Sequence, residues 1–289
     1  MNRRNVPASP AELLPLQLET IGVNSDQELI ERPHGYPYFH WLQTLEGEGE
    51  LSTNGHVWKM TERTGVLLSP GIPHRYEAKN GIWQTGYITF NGSMAVSVVQ
   101  SFGWNRAERF QWDAGNDRIS EILEDMLALG ECGGDPSGWR HSAHLYRFLT
   151  LLRTDARTDN RPSMSKRLER IQALLEWLEK EFADPGIGLA DMASQLGIGE
   201  RQLNERFREL FGQTAYAYLI QLRIRKAKEW LPSRPDWTIR RIGEAVGFRD
   251  ASHFVATFRQ KEGMTPDTYR KLYSTRAASG LHSNGTGIP

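Results

Sequence analysis

The chain has 289 residues, room for two domains of ordinary size. Its apolar residues form no run long enough for a membrane span, and the opening MNRRNVPASP has no apolar stretch behind its arginines, so neither a span nor a secretory signal is expected. A single cysteine, Cys132, excludes a disulfide framework and a cysteine-based zinc finger, and makes a reduced, cytoplasmic setting the default.

Net charge is zero, but its distribution is uneven. Residues 1–162 carry 15 Lys/Arg against 20 Asp/Glu, a net of −5; residues 163–289 carry 20 against 15, a net of +5. A basic half beside an acidic half is the pattern expected when only one of them meets phosphates.

Residues 1–30 are weakly patterned and read as an arm and a first strand. From Tyr36 to about Phe90 the texture is β. Tyr36–Leu45 is rich in aromatic and β-branched residues, Glu46–Gly49 is a turn, and Asn54-Gly55 sits between two short strands as a hairpin turn. Gly65–Gly71 and Ile82–Phe90 add further strands. Many short strands at regular spacing predict a small barrel or a double-sheet jelly roll, with Trp41, Trp58, Trp83 and Tyr87 as candidate barrel core.

From Asn116 the spacing is helical. Ile119, Ile122, Leu123, Met126 and Leu129 form one stripe, Cys132–Gly138 interrupts, and Leu145, Phe148, Leu149 and Leu152 form another. These stripes must be buried on the barrel or on a second subunit, so residues 116–154 are a dimerisation candidate. Residues 155–165 are polar with Pro and Ser and read as a linker. A helix is predicted over Arg167–Phe182 and a long one over Thr214–Leu231, ended by Pro232–Pro235. The tail from 274 to 289 is small and polar and reads as disordered.

The stretch Leu189–Arg270 says the same thing twice. Gly197-Ile198, Leu203, Phe207, Gly212-Gln213-Thr214 and Tyr218 are matched by Gly247-Phe248, Phe254, Phe258, Gly263-Met264-Thr265 and Tyr269. The turn glycines are 50 residues apart and every later pair 51, so one residue is inserted between the glycine and the following helix. Each copy reads helix, glycine turn, helix: the helix-turn-helix pattern, whose second helix can lie in a DNA major groove. A small residue, Ala193 or Gly243, stands four before each turn glycine, where two helices cross closely.

Over about 105 residues, Arg167–Lys271, the chain resembles the AraC/XylS family of bacterial transcription regulators, most fully in Gly247–Arg270. The resemblance implies an all-α tandem helix-turn-helix domain, residues 166–273, that sets two helices in successive major grooves of an operator. The DNA-facing positions it implies are Glu200, Arg201, Gln202, Asn204, Glu205 and Arg208 in the first unit. In the second they are Arg249, Ala251, Ser252, His253, Val255, Ala256 and Arg259. Arg201, Gln202 and Asn204 suit base edges, and Arg208 suits phosphate. The second set is short or apolar, which favours thymine-methyl contact or shape readout. Gly199 stands where the family usually places a Ser or Thr cap; Glu205 and Ala256 stand where it often has Arg; Arg206 takes a usually apolar place.

Residues 1–115 resemble the cupin-like sensor domain of sugar-responsive members of that family, through Leu45–Gly49 and Gly65–His74. Cupin enzymes bind a metal through two His and a Glu in one motif and a His in the next. Here His74 fits the second motif, but His40 stands where the Glu should be and the His pair falls on His34 and Tyr36, or on Pro33 and Gly35 with the longer spacing. No metal or other cofactor is therefore expected, with a site from His34, His40 and His74 as the alternative. The arabinose-responsive branch has a pocket arginine in an Arg-Pro-x-Gly turn, which Arg32-Pro-His-Gly35 resembles. Its pocket Tyr matches Tyr76, and its pocket His and Trp fall at Thr85 and Tyr87, neither identical. The implied effector site is Arg32, His40, His74, Tyr76, Thr85 and Tyr87, suited to a sugar or similar polyol. The reading is a non-enzymatic, sequence-specific DNA-binding activator of transcription. Its implied partners are operator DNA, a small polar effector, RNA polymerase and a second copy of the chain. The alternatives are a cupin-type metalloenzyme fused to a DNA-binding module and a ligand-independent DNA-binding dimer.

Overall fold

In a computed structural model, residues 2–5, 13–131, 135–158 and 161–279 are described. Cys132, part of the helix-breaking run, and residues 280–289 of the tail lie outside them. The chain divides into two compact units between Lys166 and Arg167.

The first unit is two antiparallel sheets with helices on one of them. The larger sheet is built from β1 (Arg3–Asn5), β2 (Gln17–Asn24), β4 (Phe39–Glu46), β7 (Thr64–Leu68), β9 (Gln84–Asn91), β10 (Ala107–Gln111) and β11 (Arg157–Thr158), in the order β1-β2-β9-β4-β7-β10-β11. The smaller contains β3 (Ile30–Arg32), β5 (Gly49–Thr53), β6 (His56–Met60) and β8 (His74–Ala78), in the order β3-β8-β5-β6. Asn54 and Gly55 both adopt positive φ in the β5–β6 hairpin, as a tight two-residue turn between right-twisted strands requires.

The central strands of the larger sheet are buried on both faces, because successive side chains point to opposite sides. From β4, Phe39 and Trp41 join a core shared with α1 (Ala95–Ser101), α2 (Arg118–Glu131) and α3 (Trp139–Asp155). Leu42, with Val66 and Leu68 of β7, joins the smaller core, which holds Leu51, Tyr76 and Trp83. Trp41 and Trp83 are fully buried, whereas Trp58 packs only partly on this core and Tyr87 is half-buried. Ile119, Ile122, Leu123 and Met126 of the first stripe and Leu145, Phe148, Leu149 and Leu152 of the second are thus spent on their own sheet, while Leu129 is only half-buried. Burying one such side chain stabilises by about 1.5–3 kcal/mol.

Three segments differ from the sequence reading. Helix α1 and strand β10 stand where no element was predicted. The linker at 155–165 is shorter than expected: α3 runs to Asp155, Arg157–Thr158 pairs with Phe110–Gln111 of β10, and α4 (Met164–Glu181) begins three residues early. Polar composition marked this segment as linker, but its backbone groups complete a sheet edge. The tail from 274 begins as helix, since α10 (Pro266–Ser279) continues past Tyr273 through two alanines, the best helix formers.

The second unit is all helical: α4 is followed by α5 (Leu189–Ser194), α6 (Glu200–Phe211), α7 (Ala215–Ser233), α8 (Ile239–Ala245), α9 (Ala251–Glu262) and α10. The repeated residues do the same work in each copy. Gly197 and Gly247 take positive φ in the turns, and Gly212 and Gly263 cap α6 and α9 in the left-handed conformation. Thr214 and Thr265 then accept a backbone N–H three residues on, starting α7 and α10. Tyr218 meets Phe207 edge-on at 5.5 Å, and Tyr269 meets Phe258 likewise at 5.5 Å. Small and large residues trade places: Gly243 opposes Phe254, where an added Cβ would lie 2.8 Å from the ring, while the first copy carries Ala193 and Leu203. A methyl at 243 would therefore overpack a close crossing.

Candidate functional site

Helix α6 buries Leu203 and Phe207 and turns Glu200, Arg201, Gln202, Glu205 and Arg208 outward. Arg201 is ion-paired along the helix with Glu205, Nε to Oε1 at 2.9 Å, and this contact pushes the guanidinium pKa up. Asn204 is differently engaged. It is half-buried, and its Oδ1 accepts the Ala215 N–H at 3.1 Å, tying α6 to the first turn of α7. A bidentate adenine contact needs that same oxygen, so the fold competes with base reading at this position.

Helix α9 buries Phe254 and Phe258 and leaves Ser252, His253, Ala256 and Arg259 exposed, with Ala251 and Val255 half-buried. Arg249 is exposed in the preceding turn, and Asp250 caps the helix by accepting the His253 N–H at 2.8 Å. The His253 ring packs edge-on against Phe248 at 5.5 Å. Between α9 and the start of α8 lies an open hollow of about 860 Å³ lined mainly by Ile239, Ala251, Val255 and Ala256, with Arg240 and Arg259 among its polar neighbours. The segment joining α7 to α8 is held by a cation–π ladder: Arg234 lies 4.2 Å from Trp230 and 4.3 Å from Trp237, and Arg241 lies 4.3 Å from Trp237 on its own account.

In the first unit a cavity of about 200 Å³ opens beside the inward faces of β2, β4, β8 and β9. Four of the six expected effector residues line it: Arg32, His40, Tyr76 and Tyr87. His74 lines an adjoining groove that shares Arg32. Thr85 is fully buried behind the wall, donating to Gln27 Oε1 at 2.7 Å, and Gln27 itself lines the cavity. Arg4, Thr20, Asn24, Ile30, Tyr36 and Thr89 complete the lining and were not singled out in the sequence. Strand β1 places Arg4 here, while its neighbour Arg3 pairs with Glu124 and Glu131 of α2 at 2.6 and 2.8 Å.

Burial, with help from Arg32 and His74, pushes His40 well below the usual histidine range; burial lowers His74 too. Burial lifts Tyr76 to about 12 and raises Tyr87 and Tyr36, the last also through its hydrogen bond to Glu19. His74 Nδ1 lies 2.7 Å from the Ile72 carbonyl, so Nδ1 carries the proton and Nε2 is an acceptor. That buried Nε2 has no partner among the described residues. The guanidinium of Arg32 lies 4.4 Å over the Tyr36 ring and 3.4 Å from His40 Nδ1. Among the described residues no three His, Cys, Asp or Glu side chains gather to hold a metal ion. No described helix is long and apolar enough to cross a membrane.

Two helix-turn-helix units on a shared helical scaffold, joined in one chain to a two-sheet domain, define a DNA-binding transcription regulator. Comparison with known proteins agrees. Residues 15–149 match the AraC-like ligand binding domain, and residues 192–272 match a helix-turn-helix domain. The chain is 30% identical over 248 residues to the HTH-type transcriptional activator RhaS of Escherichia coli, covering 83% of this chain and 87% of that one. It is 23% identical over 233 residues to the Msm operon regulatory protein of Streptococcus mutans, covering 78% and 82%. Among solved structures, the C-terminal domain of the response regulator yesN from Fusobacterium nucleatum is similar at 29% identity and a TM-score of 0.33, covering 37% of this chain and 99% of that one. The chain belongs to the AraC family of transcriptional regulators.

Proposed function

We propose that this regulator is a cytoplasmic activator whose effector is a small polar molecule such as a sugar, held in the cavity around Arg32. The observation that carries the reading is the change of chemistry along the inward faces of β2, β4 and β9. Thr20, Asn24, His40, Tyr87 and Thr89 line a cavity, while Leu42 of β4, the cross-strand neighbour of Tyr87, joins the apolar core beside it with Leu51 and Trp83. Aromatic faces, neutral hydrogen-bonding groups and one or two guanidinium groups are what a polyol requires. The small volume favours a single-ring ligand over an extended one. Activation is supported by the relative named as a transcriptional activator.

A panel of free pentoses and hexoses, added to the full-length protein during thermal unfolding, tests this reading. A true effector at a hundred times its Kd should stabilise by about 2.7 kcal/mol and shift the midpoint upward. A panel that leaves the midpoint unmoved throughout would argue for the ligand-independent reading.

For the DNA-binding surface, α6 is the main hydrogen-bonding reader. Arg201, steadied by Glu205, takes a guanine edge, Gln202 a second base, and Arg208 a phosphate. Arg201→Ala should weaken binding to the preferred operator by roughly 5- to 150-fold and relax preference at one base position. Equal weakening on all sequences in a competition titration would make Arg201 a phosphate contact instead. Effector binding would act by shifting the population of DNA-competent states, with dimerisation through the outward faces of α2 and α3 and contact with RNA polymerase as the downstream steps.

A further inference from the structure

The two reading helices can be compared position by position, because their offset is a constant 51 residues. Glu200, Arg201, Gln202, Asn204 and Glu205 of α6 correspond to Ala251, Ser252, His253, Val255 and Ala256 of α9. Arg208 corresponds to Arg259, the one long cation kept in both copies. The scaffold is repeated, down to the glycine caps and the Phe–Tyr pairs, yet long polar side chains on one reading face are replaced by methyl-bearing or short ones on the other. His253, the one large polar residue among these five α9 positions, leans on Phe248.

The replacement creates a surface rather than a mere gap. Truncating the position equivalent to Glu205 to Ala256, and that of Asn204 to Val255, opens the hollow whose floor is Ile239, Ala251, Val255 and Ala256. Two cations, Arg240 and Arg259, line it beside the neutral Ser252, Gln260 and Thr265, and Arg240 is paired along its own helix with Glu244 at 2.8 Å. An apolar floor within a basic rim suits a ligand that is polyanionic at its edges and carries small apolar groups at its centre. In the major groove of duplex DNA the only apolar group on a base edge is the thymine 5-methyl.

We propose that the second unit reads thymine 5-methyl groups with this floor, while Arg240 and Arg259 hold the flanking phosphates. The proposal rests on α9 entering a major groove and goes further by naming what it recognises there. The first unit then reads by hydrogen bonds and the second by methyl contact.

The test uses the full-length protein and the sequence it enriches from random duplex DNA. Each thymine of that site is replaced in turn by deoxyuridine, which removes the methyl and leaves every hydrogen-bonding edge intact. Titrations at fixed salt should show a loss of about fourfold for each thymine whose methyl is buried. These losses should cluster in one half-site and shrink toward unity in the Val255→Ala protein. Val255 is half-buried beside the core and alanine favours helix, so this variant keeps α9 intact. A half-site without thymines, or uracil substitutions that cost nothing at any position, would overturn the proposal while leaving DNA binding standing. The hollow would then be free for a protein partner. Losses that persist unchanged in Val255→Ala would also overturn it. Failure to enrich any sequence would overturn the DNA reading itself, and the proposal with it.

Discussion

Replacing Arg223 with leucine is expected to lower the unfolding free energy of the C-terminal unit by about 2–4 kcal/mol, because two buried carbonyls lose their donor. Arg223 lies on α7 and is 3% exposed. Its Nε donates to the Phe182 carbonyl at 2.9 Å and its Nη2 to the Asp184 carbonyl at 2.8 Å, just beyond the end of α4. Burial pulls its pKa down from the usual arginine value, and the neighbouring Tyr216 and Asp184 oppose that pull. The turn of the second helix-turn-helix closes on the same spot. Gly247 has φ +92, and a Cβ there would lie 2.5 Å from the Phe182 oxygen and 2.8 Å from Arg223 Nε. One guanidinium thus joins the end of α4, the linking helix and the turn that aims α9. Leucine fills the volume but satisfies neither carbonyl, and lysine, a point donor without the planar fork, should recover only part of the loss. Chemical unfolding of the full-length chain followed by circular dichroism measures the effect. A loss below about 1 kcal/mol would mean that water reaches both carbonyls once the arginine is gone.

Arg223 also shows where sequence reading stops. The repeat could be read to a single residue: one residue is inserted between turn glycine and helix in the second copy, and the structure starts α6 three residues after Gly197 and α9 four after Gly247. Such features are local, since a turn, a cap and a helical stripe are set by residues within one or two turns. Arg223 carries no local signal. In a basic domain it reads as another cation, and its partners are 39 and 41 residues away. Asn204 has a second role that is hidden for a similar reason. Its outward spacing and its chemistry both fit adenine, but the chain turns at Gly212 and brings the Ala215 N–H to its side-chain oxygen.

The sheets were less legible than the helices. The Asn54-Gly55 hairpin announces itself, but β4 is buried throughout Phe39–Thr44 and hides its alternation. One face supplies Trp41 to the helices and the other supplies His40 to the cavity, so polar and apolar positions both look like core. Strand β11 is two residues long and gains its identity only from pairing with β10, 46 residues earlier at Arg157 and Gln111. Arg4 of the cavity lies on a three-residue strand whose neighbour Arg3 is tied to α2, again across more than a hundred residues. The residues of the expected effector set that do line the cavity came from motif resemblance. The remainder of the lining could have been found by asking which inward positions of β2 and β9 are polar, once the sheet order was known.

Arg32→Met is expected to remove most of the effector response while leaving the fold and basal DNA binding intact. The side chain is half-buried at the point where the cavity and the adjoining groove meet. Its guanidinium lies over the Tyr36 ring and bonds only weakly to His40 Nδ1 at 3.4 Å. Methionine can keep the apolar contact with Tyr36, so little stability should be lost. What disappears is the charged donor. Hydrogen bonds to charged groups contribute about 1.5–3 kcal/mol, so a polyol that accepts one from Arg32 should bind roughly 10- to 150-fold more weakly to the variant. The same substitution relieves the electrostatic pressure on the two histidines, since Arg32 is one cause that keeps both His40 and His74 low. Their pKa values should rise, and ring-proton chemical shifts followed over a pH titration would show it. Burial, the larger cause for both, remains, so His40 should still be neutral at pH 7. Wild-type ligand affinity in Arg32→Met, with a shifted histidine titration, would place the effector elsewhere and leave Arg32 as a charge that sets the protonation of its neighbours. Lost affinity with unshifted histidines would make it a ligand contact alone. Both changes together are what a guanidinium at the meeting of the two hollows should produce.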